Sequence, residues 1–335
     1  MELSFSFIIP VYNRPNEIEE LLESFSKLEG NYDYEIVIVE DGSSITSEAI
    51  VDKYNNKLNI SYFYKPNSGP GDSRNYGMSK AKGNYFIILD SDCLLPNNYL
   101  NEVVKSLKAD YVDCFGGPDT CHHSFSNIQK AIDFSMTSFI TTGGIRGGKA
   151  SINQFQPRSF NMGLSKIAFE ATNGFGNIHP GEDPDLSIRL WNLGFKTKLI
   201  SEAYVYHKRR ISWSKFYKQV NKFGSVRPIL NLWHPQTKKL TYWFPTLFSL
   251  GVIVAIALSF FKIYLPLYLL SAYYGIVFIL ALIKTKSIII ALQTVLAMSI
   301  QFFGYGYGFI KSTLLLQFSK SKPELIFPHL FFKNK

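Results

Sequence analysis

A stretch in the C-terminal third of the chain, residues 240–318, is almost uncharged and is dominated by Leu, Ile, Phe, Tyr and Val. It contains three apolar runs, at residues 242–261, 263–283 and 288–310. Runs of about 20 apolar residues are long enough to cross a bilayer as helices. A buried helical core is the alternative, but adjacent runs separated by little more than Lys262 are difficult to bury in a domain this small. We therefore expect a membrane region here, after a soluble-type domain at residues 1–235 and before a basic tail at residues 319–335.

The charges between these runs predict their topology. No basic, apolar leader precedes the first predicted strand, so we expect the soluble domain to stay in the cytosol. The positive-inside rule then places Lys262 outside and the loop at residues 284–286 inside. A third full span would put the basic tail outside, against the same rule, and the alternating Gly and Tyr at residues 304–308 also suit a bend, a re-entrant turn or close helix packing. Two or three spans stay open, and we favour a cytosolic tail in a multi-pass protein of the inner or plasma membrane.

The cysteines and the net charge indicate which cellular compartment the protein occupies and which kind of partner it binds. Cys93, Cys114 and Cys121 give an odd count without a CxxC spacing, which argues against a disulfide framework and agrees with a reducing compartment. The Cys-His-His sequence at residues 121–123 is interpreted as incidental, because no second ligand pair accompanies it. The formal net charge is +9. The positive excess is concentrated before the apolar runs, at Lys208, Arg209, Arg210, Lys215, Lys218, Lys222 and Arg227. That position favours anionic lipid or a phosphorylated lipid substrate over nucleic acid.

The first half of the chain alternates short apolar runs with helical patterns, which indicates an α/β sheet. The predicted strands lie at residues 5–11, 34–39, 60–64, 85–89 and 111–115. Acidic or Asn-rich groups follow the first, second and fourth of these strands. Ligands of open α/β sheets bind outside the carboxyl ends of the strands, so the three groups are expected to converge on one crevice.

The sequence Asp90-Ser91-Asp92 places two carboxylates at alternate positions directly after a buried strand. Hard divalent cations such as Mg²⁺ or Mn²⁺ prefer oxygen ligands and bind through a few carboxylates together with substrate phosphates. A solvated turn is the alternative interpretation of such a pair. The position after the apolar residues 86–89 favours the metal-binding interpretation.

Four motifs in this order resemble the family 2 glycosyltransferases of the GT-A fold, an α/β Rossmann-like nucleotide-sugar-binding fold. They are Phe-Ile-Ile-Pro-Val-Tyr-Asn at residues 7–13, Glu-Asp-Gly-Ser at residues 40–43, Asn-Ser-Gly-Pro-Gly-Asp-Ser-Arg-Asn at residues 67–75, and the Asp-Ser-Asp of residues 90–92. The resemblance covers roughly residues 4–230. It implies inverting transfer of a sugar from a nucleotide-sugar, with UDP as the favoured nucleotide.

The resemblance also implies roles for individual residues. The predicted donor-binding residues are Pro10, Tyr12, Asp41, Asn67, Arg74 and Asp90, and the predicted metal ligand is Asp92. A carboxylate at a strand end can accept a hydrogen bond from a uracil-type N–H, and the forked guanidinium of an arginine suits phosphate or carboxylate. A surface ion pair on a helix is the alternative role for Arg74.

A second acidic motif, Gly-Glu-Asp at residues 181–183, resembles the ED motif of the same family, whose Asp is the general base. Inverting transfer needs one carboxylate to take the proton of the acceptor hydroxyl. We predict Asp183 as this base with Glu182 in support, while Asp185 is the competitor and helix capping is the structural alternative. His207 is predicted as the other metal ligand, with a solvent-exposed or phosphate-facing imidazole as the alternative. The resemblance further places Asn161 and Gly163 on the acceptor side.

The segment at about residues 213–231 mixes aromatic residues with Lys and Arg, and its apolar side chains share one face, which predicts a helix in the membrane interface. It lies where processive synthases carry QxxRW, but Lys222 and Phe223 replace the Arg and Trp.

The sequence therefore favours transfer to a membrane-associated, lipid-linked glycan acceptor in surface polysaccharide synthesis. The alternatives are a polyprenyl-phosphate sugar synthase, a processive synthase, and a non-catalytic subunit that binds sugar nucleotides.

Overall fold

A computed structural model describes residues 2–120, 125–143, 155–207 and 212–332. The strands of these residues are β1 (Phe5–Val11), β2 (Tyr34–Asp41), β3 (Ile60–Lys65), β4 (Tyr85–Leu89), β5 (Cys93–Leu94), β6 (Cys114–Gly116), β7 (Asp119–Thr120), β8 (Asn161–Ser165), β9 (Thr197–Leu199) and β10 (Val205–His207). The α-helices are α1 (Pro15–Phe25), α2 (Glu48–Tyr54), α3 (Pro70–Lys80), α4 (Tyr99–Ala109), α5 (Asn127–Thr137), α6 (Phe139–Thr142), α7 (Lys166–Thr172), α8 (Glu182–Asn192), α9 (Trp213–Trp233), α10 (Phe244–Phe260), α11 (Leu265–Thr285), α12 (Ile288–Phe318) and α13 (Pro323–Ile326).

Seven strands form one mixed sheet in the order β3-β2-β1-β4-β8-β6-β9. β1 is parallel to β2 and β4, whereas β8 is antiparallel to β4 and β6. Every residue of β1 and of β4 is buried, as expected for central strands covered on both faces. The predicted strands at residues 5–11 and 85–89 are confirmed at both ends. The fifth predicted strand begins only at Cys114, three residues later than expected.

The side chains of β1 alternate between two hydrophobic clusters, one on each face of the sheet. Phe7 and Ile9 belong to the cluster that includes α1 and α4, and Ile8 belongs to the cluster that includes α3, α7 and α8. Helix α3 lies close to β1 because it carries Gly77, where an added Cβ would lie 2.7 Å from Cγ2 of Ile8. This approach fixes the helix that bears Arg74 against the centre of the sheet.

A second, smaller sheet has the order β5-β10-β7. His207 at the end of β10 pairs with Cys93, which follows Asp92, and Val205 pairs with Asp119 of β7. Three segments far apart in sequence are therefore joined beside the carboxyl end of β4.

The chain divides into two compact units, with residues 1–122, 150–207 and 331–335 in the first and residues 123–149 and 208–330 in the second. This division differs from the boundary expected at residue 235, because α9 and α5 belong to the unit of the apolar helices. The predicted interfacial segment is helical, from Trp213 to Trp233. The last residues of the chain rejoin the sheet unit.

Among its described residues, the second unit contains three helices that are long and apolar enough to cross a membrane, judged by length and composition: Leu240–Phe260, Leu265–Thr285 and Ile288–Phe318. The third is a single continuous helix, so its glycine-rich stretch does not interrupt it. Instead, the glycines permit close packing. An added Cβ at Gly304 would lie 2.7 Å from Val220, and one at Gly308 would lie 2.3 Å from the carbonyl oxygen of Asn221, both on α9.

Candidate active site

Most of the predicted site residues lie at the carboxyl ends of β1, β2 and β4 and at the first turns of α3 and α8. The strand-end argument predicted that the groups after β1, β2 and β4 converge, and the structure adds the start of α8, since Arg74 contacts Glu182 across 108 positions in the sequence. Residues 121–123 and Lys208, Arg209 and Arg210 lie outside the described residues.

Arg74 is the centre of a buried ionic network. Its side chain is 4% exposed, and its Nη2 atom lies 2.8 Å from Oδ1 of Asp90 while its Nη1 atom lies 3.2 Å from Oε1 of Glu182. The guanidinium also lies over the ring of Phe175, 5.3 Å from its centroid. Its buried Nε atom has no hydrogen-bond partner among the described residues. This arrangement excludes the surface ion pair that was the alternative, and it leaves one N–H donor of Arg74 available.

Glu182 and Asp183 are adjacent carboxylates whose pKa values are shifted in opposite directions. Burial would raise the pKa of Glu182, but the His179 charge and hydrogen bond, together with the Arg74 charge, lower it to about 2. Burial raises the pKa of Asp183, and the charge of Glu182 raises it further, against the opposing effect of Arg74. A pair separated in this way has one permanently ionised member and one member suited to exchange a proton.

Asp183 is also the less constrained member of the pair. Its Oδ1 atom is buried and has no hydrogen-bond partner among the described residues. The competitor Asp185 instead accepts a hydrogen bond from Nε of Arg189 at 2.9 Å, one turn further along α8. The geometry therefore favours Asp183 over Asp185 as the carboxylate that can accept a proton.

Asp92 and His207, the two predicted metal ligands, face each other. Nε2 of His207 lies 3.2 Å from Oδ1 of Asp92, and Nδ1 lies 3.7 Å from Oδ2 of Asp119. The imidazole stacks on Phe160 with ring centroids 4.8 Å apart. A half-buried, stacked and oriented imidazole differs from the exposed histidine that was the alternative.

The donor set fits a hard or borderline divalent cation. Ligand atoms of Asp92, Cys93 and His207 all lie within 4.8 Å of one another. Burial raises the pKa of the Cys93 thiol well above its usual range, so the thiol stays protonated and is a poor ligand. One carboxylate and one imidazole remain, which suits Mn²⁺ or Mg²⁺ when donor phosphates complete the coordination.

Arg14 is a neighbour of this cluster that the sequence analysis did not identify. Its Nη1 atom lies 2.5 Å from Oδ2 of Asp92, so the two carboxylate oxygens of Asp92 face a guanidinium and an imidazole. Arg14 follows β1 directly, within two residues of Tyr12. The only sequence signal was its place beside the first motif.

The predicted nucleoside-binding residues differ in accessibility. Tyr12 is 54% exposed and can stack on a base, whereas Pro10 is buried within β1. The carboxylate of Asp41 is almost fully buried and accepts hydrogen bonds from four groups, namely Nζ of Lys65, Nδ2 of Asn67 and the backbone N–H groups of Ser68 and Gly69. Asp41 and Asn67 thus organise the loop before α3, and contact of Asp41 with a base remains a prediction that requires one of these bonds to be exchanged.

Asn161 and Gly163 are structural in this arrangement. Asn161 is fully buried, accepting a hydrogen bond from the hydroxyl of Tyr99 at 2.6 Å and donating one to the carbonyl of Ala203 at 2.8 Å. At Gly163, an added Cβ would lie 2.0 Å from the ring of Phe115. Both residues support the strand beside β4, and their place on the acceptor side stays a prediction.

The buried ion pairs of Arg74 predict that this residue contributes strongly to the stability of the fold. In Arg74→Met, Asp90 and Glu182 lose their partner, and removing one member of a buried ion pair costs roughly 3–5 kcal/mol. We expect a loss of that size in the free energy of unfolding, measured by urea denaturation of the detergent-solubilised protein. The matched control Lys80→Met lies on the same helix but is exposed, and should cost at most about 1 kcal/mol. Equal losses in the two variants would contradict the network.

The sheet domain has a GT-A-like α/β fold. Its structure is similar to that of the mannosyltransferase PcManGT from Pyrobaculum calidifontis, described in complex with GDP-Man and Mn²⁺, with a TM-score of 0.60 over 90% of this chain and 88% of that chain. The sequence identity is 16%, so this similarity concerns the fold alone.

Residues 6–168 match the family model described as glycosyl transferase family 2, and the chain therefore contains a domain of that family. It is 35% identical over 114 residues to the poly(ribitol-phosphate) beta-N-acetylglucosaminyltransferase TarS of Staphylococcus aureus, covering 33% of this chain and 19% of the relative. It is 27% identical over 238 residues to chondroitin synthase of Escherichia coli, covering 61% of this chain and 34% of the relative. The chain thus spans a fifth to a third of the length of these relatives.

Proposed function

We propose that the chain is a metal-dependent, inverting glycosyltransferase that moves a sugar from a nucleotide-sugar, with UDP as the nucleotide, to a membrane-associated, lipid-linked glycan acceptor. The observation that carries this proposal is the pair Glu182 and Asp183 beside the buried Arg74. The ionised Glu182 fixes Arg74, and Asp183 keeps a raised pKa and an unbonded oxygen. A protein that only bound sugar nucleotides would not need such a base.

In the proposed reaction the acceptor hydroxyl oxygen attacks the anomeric carbon of the donor sugar. The bond from that carbon to the diphosphate oxygen breaks on the opposite face, and Asp183 takes the hydroxyl proton. Arg74 orients donor groups through its free N–H, while Asp92 and His207 would hold the divalent cation. When bound, that cation supplies positive charge to the departing diphosphate.

Two features support the membrane-associated acceptor. The family 2 domain is joined to three helices that are apolar and long enough to cross a bilayer. Lys215, Lys218, Lys222 and Arg227 lie on α9, immediately before these helices, and favour a phosphate-bearing lipid headgroup. The relative named for glycosylating poly(ribitol phosphate) also acts on a phosphate-bearing acceptor, as its name states.

A screen of sugar nucleotides tests this proposal. Purified protein with Mn²⁺ is incubated with UDP- and GDP-sugars, with and without polyprenyl-linked acceptors, and the released nucleoside diphosphate is measured. We expect release of UDP that increases with a lipid-linked acceptor. Release of GDP alone would contradict the choice of nucleotide, and binding without release would identify a non-catalytic subunit.

The raised pKa of Asp183 predicts the direction of the pH dependence. A general base acts when deprotonated, so kcat/KM should rise with pH through this pKa, with the midpoint of the acid limb above the ordinary value of 3.8. In Glu182→Gln the neighbouring negative charge is removed, and the acid limb should move to lower pH. An acid limb that stays in place in Glu182→Gln would contradict the coupling of the two carboxylates.

A further inference from the structure

The last described residues of the chain form a short strap, Phe331 and Phe332, which belongs to the sheet unit. Phe331 pairs with Ile178 in an isolated antiparallel bridge, and the backbone N–H of Phe332 donates a hydrogen bond of 3.0 Å to the carbonyl of Asn177. The strap therefore adds a strand-like edge to the loop that precedes Glu182.

The ring of Phe332 joins two loops of the candidate site. On one side it lies against Gly69, where an added Cβ would meet the ring at 2.3 Å and where φ is +96°. Gly69 ends the loop that Asp41 organises. On the other side, the ring of Phe332 lies 6.0 Å from that of His179. His179 in turn contacts Oε1 of Glu182 through Nδ1 at 2.9 Å.

The loop between these contacts is also fixed from α3. The side chain of Asn75 forms two hydrogen bonds of 2.8 Å with the backbone of Phe175, whose ring supports the guanidinium of Arg74. Contacts therefore run from the strap, through His179 and Glu182, to Arg74. A pocket of about 370 Å³ lies among these residues, and its walls include Ser68, Asp72, Asn75, Phe175, His179 and Phe332.

We propose that Phe332 is a positioning residue, which closes this pocket on the donor side and holds His179 against Glu182. The positioning role of Phe332 in catalysis rests on the proposed function. The docking of the strap onto the sheet unit does not, because it follows from the contacts of the strap with residues 177–179 and with Gly69.

The docked strap has a consequence for topology. The chain leaves the sheet unit after His207 and rejoins it at Phe331, so any membrane crossings by the segment between them must be even in number. Among the described residues three helices are apolar enough to cross, and at least one of them therefore does not. Helix α12 is the one we assign as non-spanning, because 39% of its most apolar stretch is buried against the rest of the protein, compared with 11% for each of the other two helices. α12 packs on α5 and α9 as well as on the α10–α11 hairpin.

Cross-linking tests the docking without any catalytic readout. In a background in which Cys93, Cys114 and Cys121 are replaced, cysteines are introduced at Ile178 and Phe331, and membranes are oxidised with copper phenanthroline. We expect rapid disulfide formation, and none in the control pair of Ile178 and the exposed Leu325. Absence of the cross-link in a protein that elutes as a folded species would overturn the proposal.

Labelling tests the topology in the same background. Lys320→Cys, placed in an exposed position after α12, should resist a membrane-impermeant thiol reagent on intact cells and react after lysis. Reaction of Lys320→Cys on intact cells would place the tail opposite a cytosolic catalytic domain and would overturn the docked strap.

Kinetics test the positioning role. Phe332→Ala should raise the KM for the donor about tenfold while kcat changes less, because the aromatic contact supports binding elements and not the base. Phe332→Tyr, which keeps the ring, should restore the KM, and the exposed Leu325→Ala should leave it unchanged. An unaltered KM in Phe332→Ala, with the cross-link intact, would show that the strap docks without positioning the site. If no variant and no wild-type protein turns over donor, the proposed function fails while the cross-link still decides the docking.

Discussion

Asp183→Asn should lower the rate of sugar transfer by roughly 10² to 10⁴-fold, which corresponds to about 3–5 kcal/mol of activation free energy. Asparagine keeps the size of the side chain and cannot accept the proton of the acceptor hydroxyl. The attacking oxygen would then have to lose its proton to water. Donor affinity should stay near that of the wild type, because the predicted donor-binding residues Arg74 and Asp90 are unchanged.

The measurement combines turnover of nucleotide-sugar with a separate binding assay for the donor. Asp185→Asn is the matched control, since Asp185 lies on the same helix and pairs with Arg189. It should retain most of the transfer activity. If Asp183→Asn instead lost donor binding but kept its turnover, Asp183 would be a binding residue and the base would have to be sought elsewhere.

The sheet and the position of the crevice could be predicted from the sequence because both depend on local patterns. β1 and β4 are continuous apolar runs that end in polar motifs, and each motif lies where its strand ends. The alternation of Asp90 and Asp92 also had a physical meaning. Asp90 contacts Arg74, and Asp92 contacts His207, so the two carboxylates serve different parts of the crevice.

Contacts between distant segments could not be predicted in the same way. Arg14 contacts Asp92 although the two residues are 78 positions apart in the sequence. The sequence indicated that Glu182 is important, but it did not indicate that His179 contacts this carboxylate. Asn161 was assigned to the acceptor side by motif position alone, but its amide satisfies buried groups of Tyr99 and Ala203. Such roles depend on burial, which a single sequence does not specify.

The apolar region shows the same limit. Glycines at 304 and 308 suit both a bend and a close helix contact, and local propensity does not distinguish the two. The presence of a helix that faces these glycines favours the close contact, and in this structure that helix is α9. The return of the chain to the sheet unit at Phe331 could not be predicted from the sequence either, because a strap of two residues has no hydrophobic periodicity.

Removing divalent metal should stop transfer, and adding Mn²⁺ or Mg²⁺ should restore it. Asp92 and His207 are the pair that would hold the cation, since they face each other at 3.2 Å, and His207 is held there by its pairing with Cys93 and by its stack on Phe160. Asp92→Ala should therefore mimic chelation. His207→Ala should weaken metal affinity and leave activity recoverable at high metal concentration.

Direct binding of Mn²⁺, measured by electron paramagnetic resonance with the donor present, separates metal loss from other causes of inactivity. Asp119 lies 3.7 Å from Nδ1 of His207, close enough for its negative charge to favour an electron-rich imidazole, so Asp119→Asn should weaken Mn²⁺ binding by roughly 10 to 100-fold. In Arg14→Gln a positive charge beside Asp92 is removed, and affinity for Mn²⁺ without donor should increase. Full activity of the metal-free enzyme would show that neither Asp92 nor His207 acts through a metal. Failure of His207→Ala alone would leave Asp92 as the ligand, because a cation held mainly by one carboxylate and the donor phosphates does not need the imidazole.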